Sequence, residues 1–346
     1  MAVCRFVGNE DMYGLGIRLG YYLLWLSSIF GAWMAPSEVR LLRYTLNVFV
    51  AASFLALIIL TVDDVNRLQP VEAYIVLLLM FGAYLALVPI YIWRILTVCD
   101  HYWNPTRWPI VPHTILESNL KLILLVGILV YQYWFWFTRV PILDRYNCEQ
   151  YGFLFAQARL NSKVSVAINA LLYSFLGFIA LYLLWVMIRR SVGLPVGANH
   201  PKRSISHRHK VSHINLMRNM VTWFKIIVAT LVVLAIELTI QWNEIRGINS
   251  LAGAGQTIPF LFGLGTVLRI LYVYFSPKDD IMDDDDSDSY YSHRPRRSAP
   301  APRPPAARSW VGSRSTVSRP RSSGSRTRPI SIDRVTLPMS VRTKSR

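Results

Sequence analysis

Charge is scarce in this chain. Asp, Glu, Lys and Arg make up 16% of its 346 residues, where soluble domains carry roughly a quarter. Cysteine is scarcer still: three residues exclude a disulfide-stapled framework and a thiolate zinc site. Four histidines, His200, His207, His209 and His213, fall close together, and the last two have helical i, i+4 spacing. No carboxylate lies among them and their segment is cationic, so a solvated basic stretch is expected rather than a metal centre. No catalytic or cofactor signature stands out, and neither an enzymatic activity nor a cofactor is expected.

What the chain has in abundance is long apolar runs, with 53% hydrophobic residues. A bilayer core of about 30 Å takes about 20 apolar residues in a helix. Seven stretches qualify: 12–34, 42–62, 73–97, 120–139, 164–188, 221–241 and 255–275. Backbone polar groups inside lipid must be satisfied within the segment, which dictates helices. The expected fold class is all-α, a polytopic bundle of seven transmembrane helices over 1–275. The first run follows Glu10 and Asp11 rather than a basic region, so it reads as a retained anchor and not a cleaved leader.

The segment 189–219 sets the orientation. It carries seven Lys or Arg and no Asp or Glu, and basic short loops stay in the cytoplasm. The N-terminus is then expected outside and the C-terminus inside. Arg40, Arg43 and Arg107 fall on the inner side, while Asp63, Asp64 and Glu72 cluster at an outer loop. Only 140–163 dissents, with Arg145, Arg159 and Lys163 against Asp144 and Glu149. The aromatic run 131–137 reads as an interfacial belt, an aromatic ligand cage being the alternative.

The tail 276–346 is a different regime. An acidic run, Asp283 to Asp286 with neighbours, precedes a stretch of Arg, Ser and Pro almost free of large apolar residues. Such a composition is expected to be disordered. Ser298 and Ser331 follow basic residues and are candidate phosphosites. The formal charge of +17 sits mostly in the basic loop and this tail. Expected partners are the bilayer itself, anionic lipid headgroups and a cytoplasmic signalling protein or kinase. Nucleic acid is not expected, since no RNA-binding domain accompanies the tail.

Within the spans, charged and polar residues are the functional candidates, because their placement in lipid is costly. Arg18 lies about two turns inside the outer edge of the first span, and Glu237 lies near Trp242 in the sixth. The two can meet if their helices are neighbours, either as a pathway element or as a structural pair. Arg269, Asn47 and Asn169 complete a candidate intramembrane polar network. Gly16 and Gly20 form a Gly-x-x-x-Gly that lets another helix approach closely. Pro89 and Pro259 predict kinks. Cys4 and Cys148 both fall outside in this topology, and a bridge between them is a further expectation.

The run Asp11-Met-Tyr13-Gly14-Leu-Gly16-Ile-Arg18-Leu-Gly20-Tyr21-Tyr22 resembles the start of a group of uncharacterised multi-pass integral membrane proteins from filamentous fungi. That resemblance implies a fungal, polytopic protein and brings no known activity with it. The seven-span plan also resembles G-protein-coupled receptors, in topology only. The third span ends Arg94-Ile-Leu-Thr-Val-Cys-Asp100-His-Tyr102 rather than in Asp-Arg-Tyr, and no Asn-Pro-x-x-Tyr follows Arg269. The expected function is receptor-like sensing in the plasma membrane or an endomembrane, with output through 189–219 and the tail. A transporter or channel and a non-catalytic scaffold are the alternatives.

Overall fold

The computed structural model describes residues 2–4, 6–64, 68–100, 102–145, 148–192, 207–251 and 253–276. The tail from residue 277, with Ser298 and Ser331, and residues 193–206 of the basic segment lie outside the described residues. Among the described residues seven helices are long and apolar enough to cross a membrane. Those residues are all-α apart from four short strands at one end of the bundle.

The first span begins with a short helix α1 (Glu10–Tyr13), capped by the Asn9 side chain, and continues after Gly14 as α2 (Leu15–Met34). Gly14 is required at this break: a Cβ there would lie 2.4 Å from the Glu10 carbonyl. Helix α3 (Val39–Asp63) returns, and the Tyr21 hydroxyl of α2 donates to Ser53 Oγ across that interface. Helix α4 (Pro70–Leu85) is buried nearly all round, from Pro70 to Gly82 without interruption, and forms the axis of the bundle. A helix apolar on every face belongs in such a position.

Helix α5 (Leu87–Leu96) continues the third span after a break at Ala86. Pro89 accounts for the break: it offers no N–H to the Leu85 carbonyl, and its ring would collide with it. Helix α6 (Ile115–Trp134) starts five residues earlier than the hydropathy implied, because Thr114 caps it by accepting from the Glu117 N–H. It runs on through a π turn, Phe135–Arg139, and a 3-10 turn, Val140–Arg145.

Helices α7 (Lys163–Ser191), α8 (His207–Trp242) and α9 (Ala254–Phe275) complete the set. The segment 189–219 is therefore not all loop. Its second half is the first part of α8, which at 36 residues is about 54 Å long. No Pro or Gly lies between Pro201 and Gly247, so nothing ends the helix where the apolar run stops. Helix α9 lies along α2, and the glycines set the distance. A Cβ on Gly16 would meet the Gln256 carbonyl at 2.1 Å, one on Gly20 the Pro259 carbonyl at 2.6 Å, and one on Gly263 the Gly20 carbonyl at 2.9 Å. Phe178 and Leu181 of α7, and Ile258 and Leu268 of α9, face outward. A bilayer accepts such an apolar exterior; water does not.

At the end of the bundle opposite the basic segment, the polar connections fold into a cap. Strand β1 (Ala2–Val3) runs parallel to β2 (Cys148–Glu149), and Cys4 is disulfide-bonded to Cys148. Strands β3 (Tyr151–Phe153) and β4 (Gln157–Arg159) make an antiparallel hairpin. Val7 bridges to Arg246, and the Leu15 N–H donates to the Ile248 carbonyl, so the N-terminal arm is laced to the α8–α9 connection.

Candidate functional site

The charged side chain buried most deeply in the structure is Arg18, 1% exposed. Its position follows from the Gly14 break, which turns the start of α2 beneath the cap. Four acceptors surround the guanidinium. Nε donates to the Tyr13 carbonyl at 3.1 Å, Nη1 to Glu237 Oε2 at 2.5 Å, and Nη2 to Asn249 Oδ1 at 2.8 Å and the Ile248 carbonyl at 3.4 Å. Glu237 receives a second donor, the Tyr22 hydroxyl, on Oε1 at 2.8 Å. A buried arginine tolerates lipid depth only when paired and hydrogen-bonded in this way. The pair joins α2 to α8, and Asn249 with Ile248 joins both to the connection that leads into α9. The Glu237 side chain remains 44% exposed beside the fully enclosed arginine.

A second carboxylate, Glu72 at the start of α4, is 3% exposed and does the corresponding work for the arm. It accepts from the Asn9 N–H at 2.9 Å, the Tyr13 hydroxyl at 2.8 Å and the Gln69 N–H at 2.8 Å. The last contact caps α4, where a negative charge also favours the helix dipole. Tyr13 thus stands between the two clusters, its hydroxyl on Glu72 and its carbonyl on Arg18. Sequence reading placed Glu72 only in a polar outer loop; its position three residues after Gln69 and two after Pro70 is the capping signal that marks it.

The hairpin is held by Asn243, fully buried one residue past α8. Its Oδ1 accepts from the Tyr151 N–H at 2.9 Å and its Nδ2 donates to the Tyr151 carbonyl at 2.7 Å, so one amide serves as a strand partner to β3. The Tyr151 hydroxyl donates to Glu149 Oε2 at 2.7 Å, which raises the phenol above its ordinary range, and Arg159 pairs with Glu149 at 2.9 Å. At the hairpin tip Phe155 is 82% exposed with φ of 59°, a left-handed conformation that costs a bulky residue roughly 1–2 kcal/mol. No local sequence signal distinguishes Asn243 or Phe155.

The remaining candidates do not join this cluster. Arg269 pairs with Glu38 at 2.8 Å, at the opposite end of the bundle, and its side chain is 57% exposed. It lies under two turns from the end of α9, and its side chain reaches Glu38 at the start of α3. Asn169 bonds within its own helix, donating to the Ser165 carbonyl at 2.9 Å, rather than across to another. Asn47 is buried on α3 and takes no part in the Arg18 cluster. The 131–137 run is not a simple interfacial belt: Phe135 and Trp136 are buried, Trp136 donating to Gln132, while Tyr133 and Phe137 face outward. The π turn rotates this stretch and brings its first two rings inward. His213 stacks on Tyr102 with ring centroids 3.8 Å apart, and among the described residues no cluster of His, Cys, Asp or Glu has the makings of a metal site.

The arrangement is a charged tie beneath a disulfide-linked cap. No protein-family model, no curated protein and no solved structure matches the chain.

Proposed function

We propose that this multi-pass protein is a receptor-like sensor with the cap outside and the basic segment in the cytoplasm. One observation carries the reading. Helix α8 is continuous from the basic residues after His207 to Trp242, and its far end holds the cap through Asn243 and, through Glu237, the first span. A displacement of the cap is thereby coupled to the basic end by a single rigid element. The orientation draws support from two independent signs: disulfides persist in oxidising compartments, and the cationic segment belongs on the cytoplasmic side. The exposed, strained Phe155 tip is the part of the cap best suited to meet a ligand.

Two measurements test this. Epitopes placed ahead of Met12 and after Lys278 are expected to be accessible from opposite faces of intact cells; access from one face overturns the orientation. Replacing Arg208, Lys210 and Arg218 by Gln is expected to abolish recruitment of a cytoplasmic partner while leaving the protein folded and in the membrane; unchanged recruitment overturns the output route.

The half-exposed Glu237 carboxylate supports a second reading, a transporter in which Glu237 exchanges a proton or cation. Solute flux in proteoliposomes that is lost in Glu237→Gln decides for it.

A further inference from the structure

At the basic end of the bundle three cations from three helices converge on one carboxylate. Arg43 of α3 donates through Nη1 to the Val111 carbonyl at 3.1 Å and lies 3.8 Å from Glu117 Oε1. The same Glu117 oxygen is 2.7 Å from His113 Nδ1. Lys121 shares the Glu117 face of α6, one turn on, and its ammonium lies 5.8 Å from the Tyr84 ring centroid. Lys225 of α8 is within electrostatic reach of Lys121, Arg43 and Glu117. Among the described residues the ion pairs here are Arg43–Glu117 and His113–Glu117, and neither lysine joins one. Two buried groups are left without hydrogen-bond partners: the Tyr84 hydroxyl, a ready donor, and Glu117 Oε2.

Like charges gathered in a medium of low dielectric repel unless an anion sits among them. One carboxylate does not neutralise three cations. The three side chains also stand at the end of the spans that meets the headgroup layer, where basic pockets between helices take phosphate. We propose that Arg43, Lys121 and Lys225 form a site for one phosphate-bearing anion, supplied by the headgroup of an anionic phospholipid or by free phosphate, with the Tyr84 hydroxyl as an additional donor. The site is separate from the Arg18–Glu237 tie and holds whichever activity the protein has.

Native mass spectrometry of the full chain in mild detergent tests the proposal. Dioleoyl phosphatidic acid is titrated beside dioleoyl phosphatidylcholine, and inorganic phosphate is added as a competitor. The protein is expected to retain one phosphatidic acid at concentrations where phosphatidylcholine is lost. Lys121→Gln with Lys225→Gln is expected to weaken retention by about tenfold or more, and Arg40→Gln, on the exposed side of α3, to change it less than about twofold. Displacement by millimolar inorganic phosphate assigns the site to a free anion; retention against it assigns the site to lipid. Glu117→Gln, which removes the competing carboxylate, is expected to tighten retention about threefold and gives an independent reading should the lysine variant not fold. Equal retention by the parent, the lysine variant and Glu117→Gln overturns the proposal.

Discussion

The Arg18 guanidinium and the Glu237 carboxylate, 219 residues apart in sequence, meet at 2.5 Å beneath the cap. The two are unequal partners. Arg18 is enclosed and has three further acceptors, whereas Glu237 is half exposed and has one further donor. Glu237→Gln is therefore expected to cost only about 1–2 kcal/mol, since the arginine keeps its remaining bonds. Arg18→Met removes the centre of the cluster, takes a donor from the Tyr13 carbonyl and the Asn249 side chain, and leaves Glu237 with Tyr22 alone, at about 3–5 kcal/mol. Thermal unfolding in detergent checks the order, and the double variant shows whether the two effects are coupled.

The glycines of α2 and α9 give a sharper contrast. Gly16→Ala places a methyl 2.1 Å from the Gln256 carbonyl, a backbone atom, whereas a Cβ on Gly265 meets nothing within 4 Å. Gly16→Ala is expected to destabilise by about 2–3 kcal/mol through forced separation of α2 and α9. Gly265→Ala is expected to be neutral or to stabilise by up to about 1 kcal/mol through helix propensity. Melting temperatures of the two variants, together with cysteine cross-linking between α2 and α9, distinguish them.

Asn243→Ala removes both Tyr151 backbone bonds and is expected to cost about 2–3 kcal/mol, confined to the cap. Hydrogen exchange should rise at β3 and β4 while the interior of α8 stays protected. A uniform rise across the bundle would mean that Asn243 acts on the whole fold and not on the hairpin.

Phe155→Gly relieves a left-handed φ and is expected to stabilise the cap by up to about 1 kcal/mol. If the tip meets ligand, the same change abolishes the response, so stability and response move in opposite directions. A response that survives intact removes the tip from the proposed ligand surface.

Cys148→Ser is expected to free the N-terminal arm, with faster exchange at Cys4 and Gly8, and to abolish the non-reducing mobility shift. Cys99→Ser, which changes an exposed free thiol, should do neither.

Much of the scaffold was legible because hydropathy reports lipid depth directly. The seven apolar stretches match seven helices. Their ends were less legible. Helix α6 begins in polar residues because a cap, not hydropathy, starts it, and α8 extends through 207–219 because nothing there stops a helix. Of the site, the parts with a lipid penalty could be read: a charge such as Arg18 or Glu237 inside an apolar run draws notice wherever it falls. Glu72 and Asn243 could not be placed, since a carboxylate and an amide near the ends of spans are ordinary in composition, and only the folded arm and hairpin give them partners. The short run from Asp11 to Tyr22 contains Tyr13, Gly14, Gly16, Arg18, Gly20 and Tyr22, which supply the break, the close approach to α9 and half of the charged tie.

The pairing of the first span with the last two has a consequence for biosynthesis. The ribosome must add 219 residues after Arg18 before Glu237 exists, and more before Ile248 and α9 emerge. Until then the leading helix carries an uncompensated guanidinium at the membrane. A lone guanidinium there snorkels towards the surface or draws headgroups and water to itself. Chains halted before α8 are therefore expected to hold this first span in the membrane less stably than complete ones.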